Sequence, residues 1–540
     1  MISSISIAAW ALVFLLALRV SRIGRRPPGY PPGPPTVPIF GNIFQIPKEN
    51  QHLQFTKWAK QYGPIYSVIL GTKTLIVVNS DEVVKDLLDK RSAIYSDRMD
   101  MYTTGEIASG GLRLLTMHYG PTWRMIRKMI HALLNVNVAK SYVPYQDLEN
   151  KQMLNDLLDN PKAFVEHLRR YSSSLIASIV FGWRTTTYDD PKLWEFFHGF
   201  DKFSALAQTA GAALPDFFPI LQKLPMALQF RQREAARLHA AEKAIYLGNW
   251  LDAKRAIAAG AARPCFCVDM ARRQAGEGFS DDLAAYIAGT LFEAGSDTTA
   301  STLNGFVQAM VLHPDAQRRA QAELDAVVGP ARLPAVDDAP RLPVIGACVK
   351  EAMRWMPTAV LGAAPHAVMQ DDEYRGYLIP KGAGVMMNIW GIHRDEKRYP
   401  QPDRFWPERY QGDAIGIAES ATLADVSKRD QFGFGAGRRI CQGMHIAERS
   451  LFLGIARILW GFDIKPVIDE ATGEPKPPEQ DRLVGGLVMM PDKYEADIKP
   501  RSERHAEIMR EAWTDIKREF LDKETGQWNQ IPEGMDLPKL

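Results

Sequence analysis

The stretch that most constrains this chain is Phe432-Gly-Phe-Gly-Ala-Gly-Arg-Arg-Ile-Cys-Gln-Gly443, near its C-terminal end. Three glycines crowd in before one cysteine, and a fourth follows it two residues later. Glycine tolerates positive φ and lets a backbone approach a flat ligand closely, so such a loop can curl its amides toward the Cys441 sulfur. Arg438 and Arg439 add positive charge, which favours thiolate over thiol. The segment His445 to Trp460 then reads as a helix, with Ile446, Leu451, Leu453, Ile455, Ile458 and Leu459 on a broad apolar surface. A thiolate at a helix N-terminus in a glycine loop suits metal ligation or nucleophilic attack. The plainer alternative is a small buried hydrophobe.

As spacing, the loop is Phe434-x-x-Gly437-x-Arg439-x-Cys441-x-Gly443, and it resembles the signature of the cytochrome P-450 superfamily of haem-thiolate monooxygenases. The resemblance implies that Cys441 is the axial iron ligand of a haem b and Arg439 a haem-propionate partner. It likewise implies that the Phe434 ring lies near the sulfur, with Gly435 and Gly437 in the cofactor-binding loop. Gln442 departs from the family, which more often has an apolar residue or proline there; the change bears on hydrogen bonding around the sulfur, not on ligation.

Hydrophobic content of 46% and charged content of 24% are ordinary for a globular protein, and a formal charge of +2 implies no nucleic-acid partner. Cys265, Cys267, Cys348 and Cys441 are too few and scattered for a disulfide framework, and no second pair accompanies Cys265 and Cys267 to make a zinc site. The chain has no Asn-x-Ser/Thr site, which agrees with a catalytic domain outside the secretory lumen. Residues 1–20 read as an N-terminal transmembrane helix: Met1 to Leu18 carry no charge, and Arg19, Arg22, Arg25 and Arg26 come directly after. A cleaved signal peptide is the competing reading, and positive charge after the apolar run argues against it. Residues 21–38 form a basic, proline-rich hinge, whose prolines from Pro27 to Pro38 make a stiff extended spacer that cannot be helical. Residues 39–502 make the catalytic domain and 503–540 a helical extension, in which Ile508, Ala512, Trp513, Ile516 and Phe520 form an apolar stripe. The order of anchor, basic residues and hinge looks like microsomal members of the family, which implies an endoplasmic-reticulum membrane protein with its catalytic domain facing the cytoplasm.

Within the domain, Pro64 to Val78 reads as a hairpin about Gly71-Thr72-Lys73, and most of the chain from there to about residue 360 is helical in pattern. The expected fold class is mainly α with small β-sheets (α+β), the cytochrome P-450 fold by resemblance. Trp123 and Arg127 share one helix face at i and i+4, which an ordinary amphipathic helix also explains; the resemblance makes both propionate donors, with Arg98 and His366 as further partners. Residues from about Met99 to Tyr119 would cover the substrate, again by resemblance. The apolar, proline-broken stretch Ala212 to Phe230 is either a buried connection or a membrane-touching entrance.

Asp281 to Val311 reads as a long helix in which Leu291, Ala294, Gly295, Thr298 and Thr302 share a face, leaving room for something flat. A mid-helix threonine commonly just bonds the i−4 carbonyl; the family's Ala-Gly-x-Asp-Thr element instead makes Asp297 and Thr298 the catalytic pair that delivers protons to dioxygen. Glu351 and Arg354 stand at i, i+3, a spacing common on surfaces, and the resemblance closes them with Arg409 into a buried structural ion triad. The implied function is insertion of one oxygen atom from O2 into a hydrophobic small molecule, most like fungal secondary metabolism. Electrons would come from NADPH through a membrane-bound diflavin reductase, with cytochrome b5 as a second donor, docking where Arg124, Lys128, Lys428 and Arg438 gather. The rivals are a haem-thiolate isomerase or peroxygenase needing no reductase, and a non-catalytic haem sensor.

Overall fold

The computed structural model describes Trp10, Phe14, residues 20–533 and Met535. Helix α1 (Gln51–Tyr62) leads into the hairpin of β1 (Ile65–Leu70) and β2 (Lys73–Val78), which turns at Gly71-Thr72 as its sequence predicts. Short strands β3 (Asp97–Arg98), β4 (His366–Ala367) and β5 (Gly384–Met387) complete a sheet of order β1-β2-β5-β4-β3, in which only β2 and β5 run parallel. The β3–β4 register sets Arg98 directly opposite His366, although 268 positions separate them in sequence.

Four two-stranded sheets also occur among the described residues, and the remainder is mainly helical. Helices α2 (Pro121–Leu134), α3 (Val143–Asp159), α4 (Phe164–Phe181), α5 (Pro191–Ala207), α6 (Ala210–Phe217) and α7 (Phe230–Ala258) precede the long α8 (Asp281–Leu312). Then come α9 (Pro343–Trp355), α10 (Met444–Gly461) and α11 (Glu503–Phe520). The Ser280 hydroxyl accepts from the Leu283 amide to cap α8, and Asp281 and Asp282 complement its dipole. Apolar residues on nearly every side of α8 place it through the core, against α4, α7 and α10. Its glycines are contact points. A Cβ at Gly289 would lie 2.5 Å from the Tyr246 ring of α7, and one at Gly295 would lie 2.7 Å from Ile176 of α4. Gly295, expected to make room for a flat group, thus serves helix packing; Ala294 is the small residue left accessible on the inner face.

The anticipated anchor, residues 1–20, lies almost wholly outside the described residues; among those described, no helix is long and apolar enough to cross a membrane. The proline-rich segment lies along β1. The Ser67 amide donates to Pro32 (2.7 Å) and its hydroxyl to Pro31 (2.6 Å), while Arg26 donates to Gly33, Pro34 and Ser67.

Helix α11 packs on α3 and α10, with Met509 against Gly461 and the His505 ring 4.5 Å from Trp460. Beyond it, Gly526 accepts at 2.8 Å from Arg184, a buried guanidinium that also donates to Glu149 at 2.7 Å. Glu149 is fully buried and shared with Arg170. Replacing Arg184 by methionine removes one of two cations from a buried carboxylate and unties the extension. Arg184→Met is expected to lower stability by about 3 kcal/mol, read as an earlier midpoint in urea denaturation.

Candidate active site

The cysteine loop closes on itself. The Cys441 amide donates to the Phe434 carbonyl at 2.9 Å, and Gly435 and Gly437 adopt φ of 78° and 63°. A Cβ at Gly437 would lie 2.0 Å from the Leu88 carbonyl oxygen, so glycine is required there. Helix α10 starts three residues after Cys441, and the Gly443 amide points at the sulfur. Cys441 lies deep in the molecule, yet its side chain is accessible, so it faces internal space. Burial pushes its thiol up; the Gly443 amide and the Arg127 charge pull it back. The expected charges, Arg438 and Arg439, act elsewhere because the turn Gly437–Arg439 splays them apart. Arg438 is exposed and donates to the Tyr119 hydroxyl, while Arg439 donates to the carbonyls of Ser96 (2.6 Å) and Met117 (2.7 Å). Gln442 does not bond the sulfur: its amide donates to the Arg127 carbonyl at 2.8 Å, and its oxygen is buried without a partner.

Beside the loop, Arg98, Arg127 and Arg439 converge. Burial and mutual repulsion hold Arg98 well below the usual guanidinium range and bring Arg439 down to about 10; burial brings Arg127 down to about 10 as well. Among the described residues none of the three forms an ion pair; their partners are carbonyls, Arg98 to Leu115 and Ala364 and Arg127 to Ile440. The Trp123 ring lies 4.7 Å from the Arg439 guanidinium and 5.5 Å from that of Arg127. His366 is pushed down to about 3 by burial and by Arg98, so its ring is neutral; Nδ1–H donates to the Tyr95 carbonyl at 2.9 Å, leaving Nε2 as acceptor. Cations whose hydrogen bonds go to carbonyls, with only the Asp97 charge nearby to oppose their repulsion, fit a ligand carrying carboxylates, and an accessible sulfur beside them fits a metal at that ligand's centre. The residues present therefore fit a haem.

On α8, Thr298 donates to the Ala294 carbonyl at 2.8 Å, the ordinary back-bond of a helical threonine, and shares the inner face with Ala294. Asp297 faces α4, where Arg169 donates to its Oδ1 at 3.1 and 3.2 Å. Burial raises the Asp297 pKa and Arg169 opposes the rise. The two residues stand next to each other with separate partners. Arg169 carries no sequence signal, because nothing in its local spacing marks it.

Glu351 is fully buried and receives Arg354 at 2.7 and 2.8 Å, Arg409 at 3.0 Å and the Trp406 amide at 2.8 Å. A residue missed from sequence joins this triad to the cysteine loop. The His393 Nδ1–H donates to the Arg354 carbonyl at 3.0 Å, and its Nε2 accepts the Phe432 amide at 2.8 Å. Burial and Arg354 hold His393 well below its usual range, so this tautomer is locked.

A cavity of about 1140 Å³ is walled by Met99, Leu115, Phe203, Leu361, Met386 and Met489 among others. Asp216 lines it too; burial pushes its carboxyl up to about 7.

A cysteine loop beside a cluster of cations suited to carboxylates defines a haem-thiolate protein. The family model for cytochrome P450 matches residues 31–498. The chain is 49% identical to cytochrome P450 monooxygenase virE of Hypocrea virens, covering 96% of this chain and 94% of that one. It is 48% identical to cytochrome P450 monooxygenase fogE of Aspergillus ruber, covering 98% of each. A zebra fish cytochrome P450 solved with progesterone superposes with a TM-score of 0.67 at 27% identity, over 83% of this chain and 99% of that one. The chain belongs to the cytochrome P450 family and is an enzyme of its monooxygenase type. Membership implies haem held by a cysteine thiolate.

His393→Ala is expected to leave the Phe432 amide and the Arg354 carbonyl without partners, at about 1–3 kcal/mol each. The checking measurement is the thiolate-type Soret band of the reduced carbon monoxide complex, which should lose most of its intensity per mole of protein.

Proposed function

We propose that this enzyme is a membrane-anchored haem-thiolate monooxygenase that inserts one oxygen atom from O2 into a hydrophobic small molecule of fungal secondary metabolism. The observation that carries the reading is the accessible Cys441 sulfur in its glycine loop beside Arg127, which belongs to a cation cluster with Arg98 and Arg439. When bound, haem with a thiolate ligand supplies oxygen activation, the donating sulfur favouring O–O cleavage. The chain's residues do the rest. Arg98, Arg127 and Arg439 hold the cofactor's carboxylates, with Trp123 and His366 beside them. His366 is neutral and keeps Nε2 toward that cluster, with Nδ1–H held by the Tyr95 carbonyl. Thr298, whose hydroxyl now donates to the Ala294 carbonyl, would be the proton donor on the inner face, and Asp297 would carry protons inward from its pair with Arg169, whose side chain is 33% exposed.

Supporting membrane contact, Ile220, Leu228 and Phe230 are 69%, 60% and 70% exposed, and Phe44 is 73% exposed. Such a patch suits a lipid surface next to an anchor formed by residues 1–20, with the enzyme on the cytoplasmic side of the endoplasmic reticulum. Arg124, Lys128, Lys428 and Arg438 are all exposed; Arg124 and Lys128 ride the outer side of α2, whose inner side carries Trp123 and Arg127 toward the site. That surface suits an acidic diflavin reductase fed by NADPH, and cytochrome b5 on the same face.

The test is reconstitution with such a reductase in lipid vesicles, using hydrophobic compounds selected by their haem spectral shift. The expected result is NADPH oxidation matched by oxygen uptake and a product heavier by one oxygen. Thr298→Ala should lower product per NADPH about tenfold or more, and charge reversal at Arg124 and Lys128 should raise the apparent reductase KM. Turnover without oxygen uptake would establish an isomerase instead, and turnover with peroxide alone a peroxygenase.

A further inference from the structure

Loop 99–119 forms one wall of the cavity through Met99, Met101, Thr104, Leu115 and Thr116. One face of α7 holds it along its length. Gln232 donates to the Thr103 hydroxyl at 2.9 Å, and that hydroxyl donates to Ala212 at 2.7 Å. Seven residues on, His239 donates to the Ala108 carbonyl and packs under Gly110, where a Cβ would lie 2.8 Å from its ring. Its other nitrogen meets the Tyr286 hydroxyl of α8 at 2.6 Å.

The strongest link lies at the loop's far end. Arg113, 1% exposed, donates to Glu242 of α7 at 2.6 Å and to Glu293 of α8. Its guanidinium lies 3.9 Å from the centre of the Phe203 ring of α5, and Ser109 accepts from its Nε at 3.1 Å. Tyr246 donates to the second oxygen of Glu293. One cation thus joins the loop to three helices, of which α7 starts where the exposed apolar segment 219–230 ends. Burial raises the pKa of both Glu242 and Glu293, and the Arg113 charge opposes the rise in each.

We propose that Arg113, through Glu242 and Glu293, is a positioning residue that latches loop 99–119 and α7 to α8 and so sets how often the cavity opens to a substrate. A buried charge held by two opposing carboxylates has one low-energy arrangement, so the loop moves only when the whole set separates from α8. Glu293 lies one position before Ala294, and the latch therefore closes next to the inner face on which Thr298 stands.

The experiment uses the full-length, haem-loaded protein and its Glu293→Gln variant. Hydrogen–deuterium exchange should rise about tenfold in residues 102–116 and leave the β1–β2 hairpin unchanged. Association and dissociation of phenylimidazole at the haem should each speed up about tenfold, with the affinity constant within about twofold. Arg113→Lys keeps the cation with fewer donors; it should give a smaller change of the same kind and serves if Glu293→Gln does not fold. Adding Arg113→Met to Glu293→Gln should change the rates less than about twofold, since the two residues act as one unit. Exchange that rises throughout the molecule, or phenylimidazole rates that stay as in the parent, overturns the proposal. The phenylimidazole arm rests on the haem reading, whereas the exchange arm does not, so failure of the one is distinguishable from failure of the other.

Discussion

Glu351 anchors the structure around the active site. One carboxylate receives two guanidinium groups and a backbone amide inside the protein, and Arg354 directs its remaining donors to the carbonyls of His393 and Pro402. Such a set is costly to bury and costlier to break, so it has one arrangement only. His393 transmits that arrangement to the Phe432 amide at the start of the cysteine loop. The sulfur's position is therefore tied to a helix ninety residues upstream through a neutral, tautomer-locked imidazole.

On the other side of the loop the electrostatics run the opposite way. Three guanidinium groups lie close together in the interior, and among the described residues no carboxylate is bonded to them, which destabilises the chain in the absence of an anion. A cofactor carrying carboxylates removes that repulsion, so binding and folding reinforce each other. Helix α2 serves both sides of the boundary, turning Trp123 and Arg127 inward and Arg124 and Lys128 outward within a single turn and a half.

Local signals are legible where they act locally. The β1–β2 hairpin, α8 and α10 fall where periodicity and turn chemistry put them, within a residue or so. Readings that depend on what faces what fare less well. Gly295 reads from sequence as space for a flat group but meets Ile176, because α4 approaches α8 on that side. Arg438 and Arg439 read as charges for the sulfur but point away from it, and Arg127 takes that role from a helix more than three hundred positions earlier. His393, Arg169 and Arg113 carry no spacing signal, since each acts through partners distant in sequence.

The cysteine loop is written into its own residues, since φ of 63° at Gly437 against the Leu88 carbonyl admits no side chain and the glycines spell that demand out. So is the long central helix, through its cap and its apolar surround. Which charges surround the sulfur, which cation pairs with Asp297, and what holds the cavity wall emerge only when the chain is folded. Those are properties of buried side chains meeting across the chain, and their energies depend on distance and desolvation that no local pattern encodes.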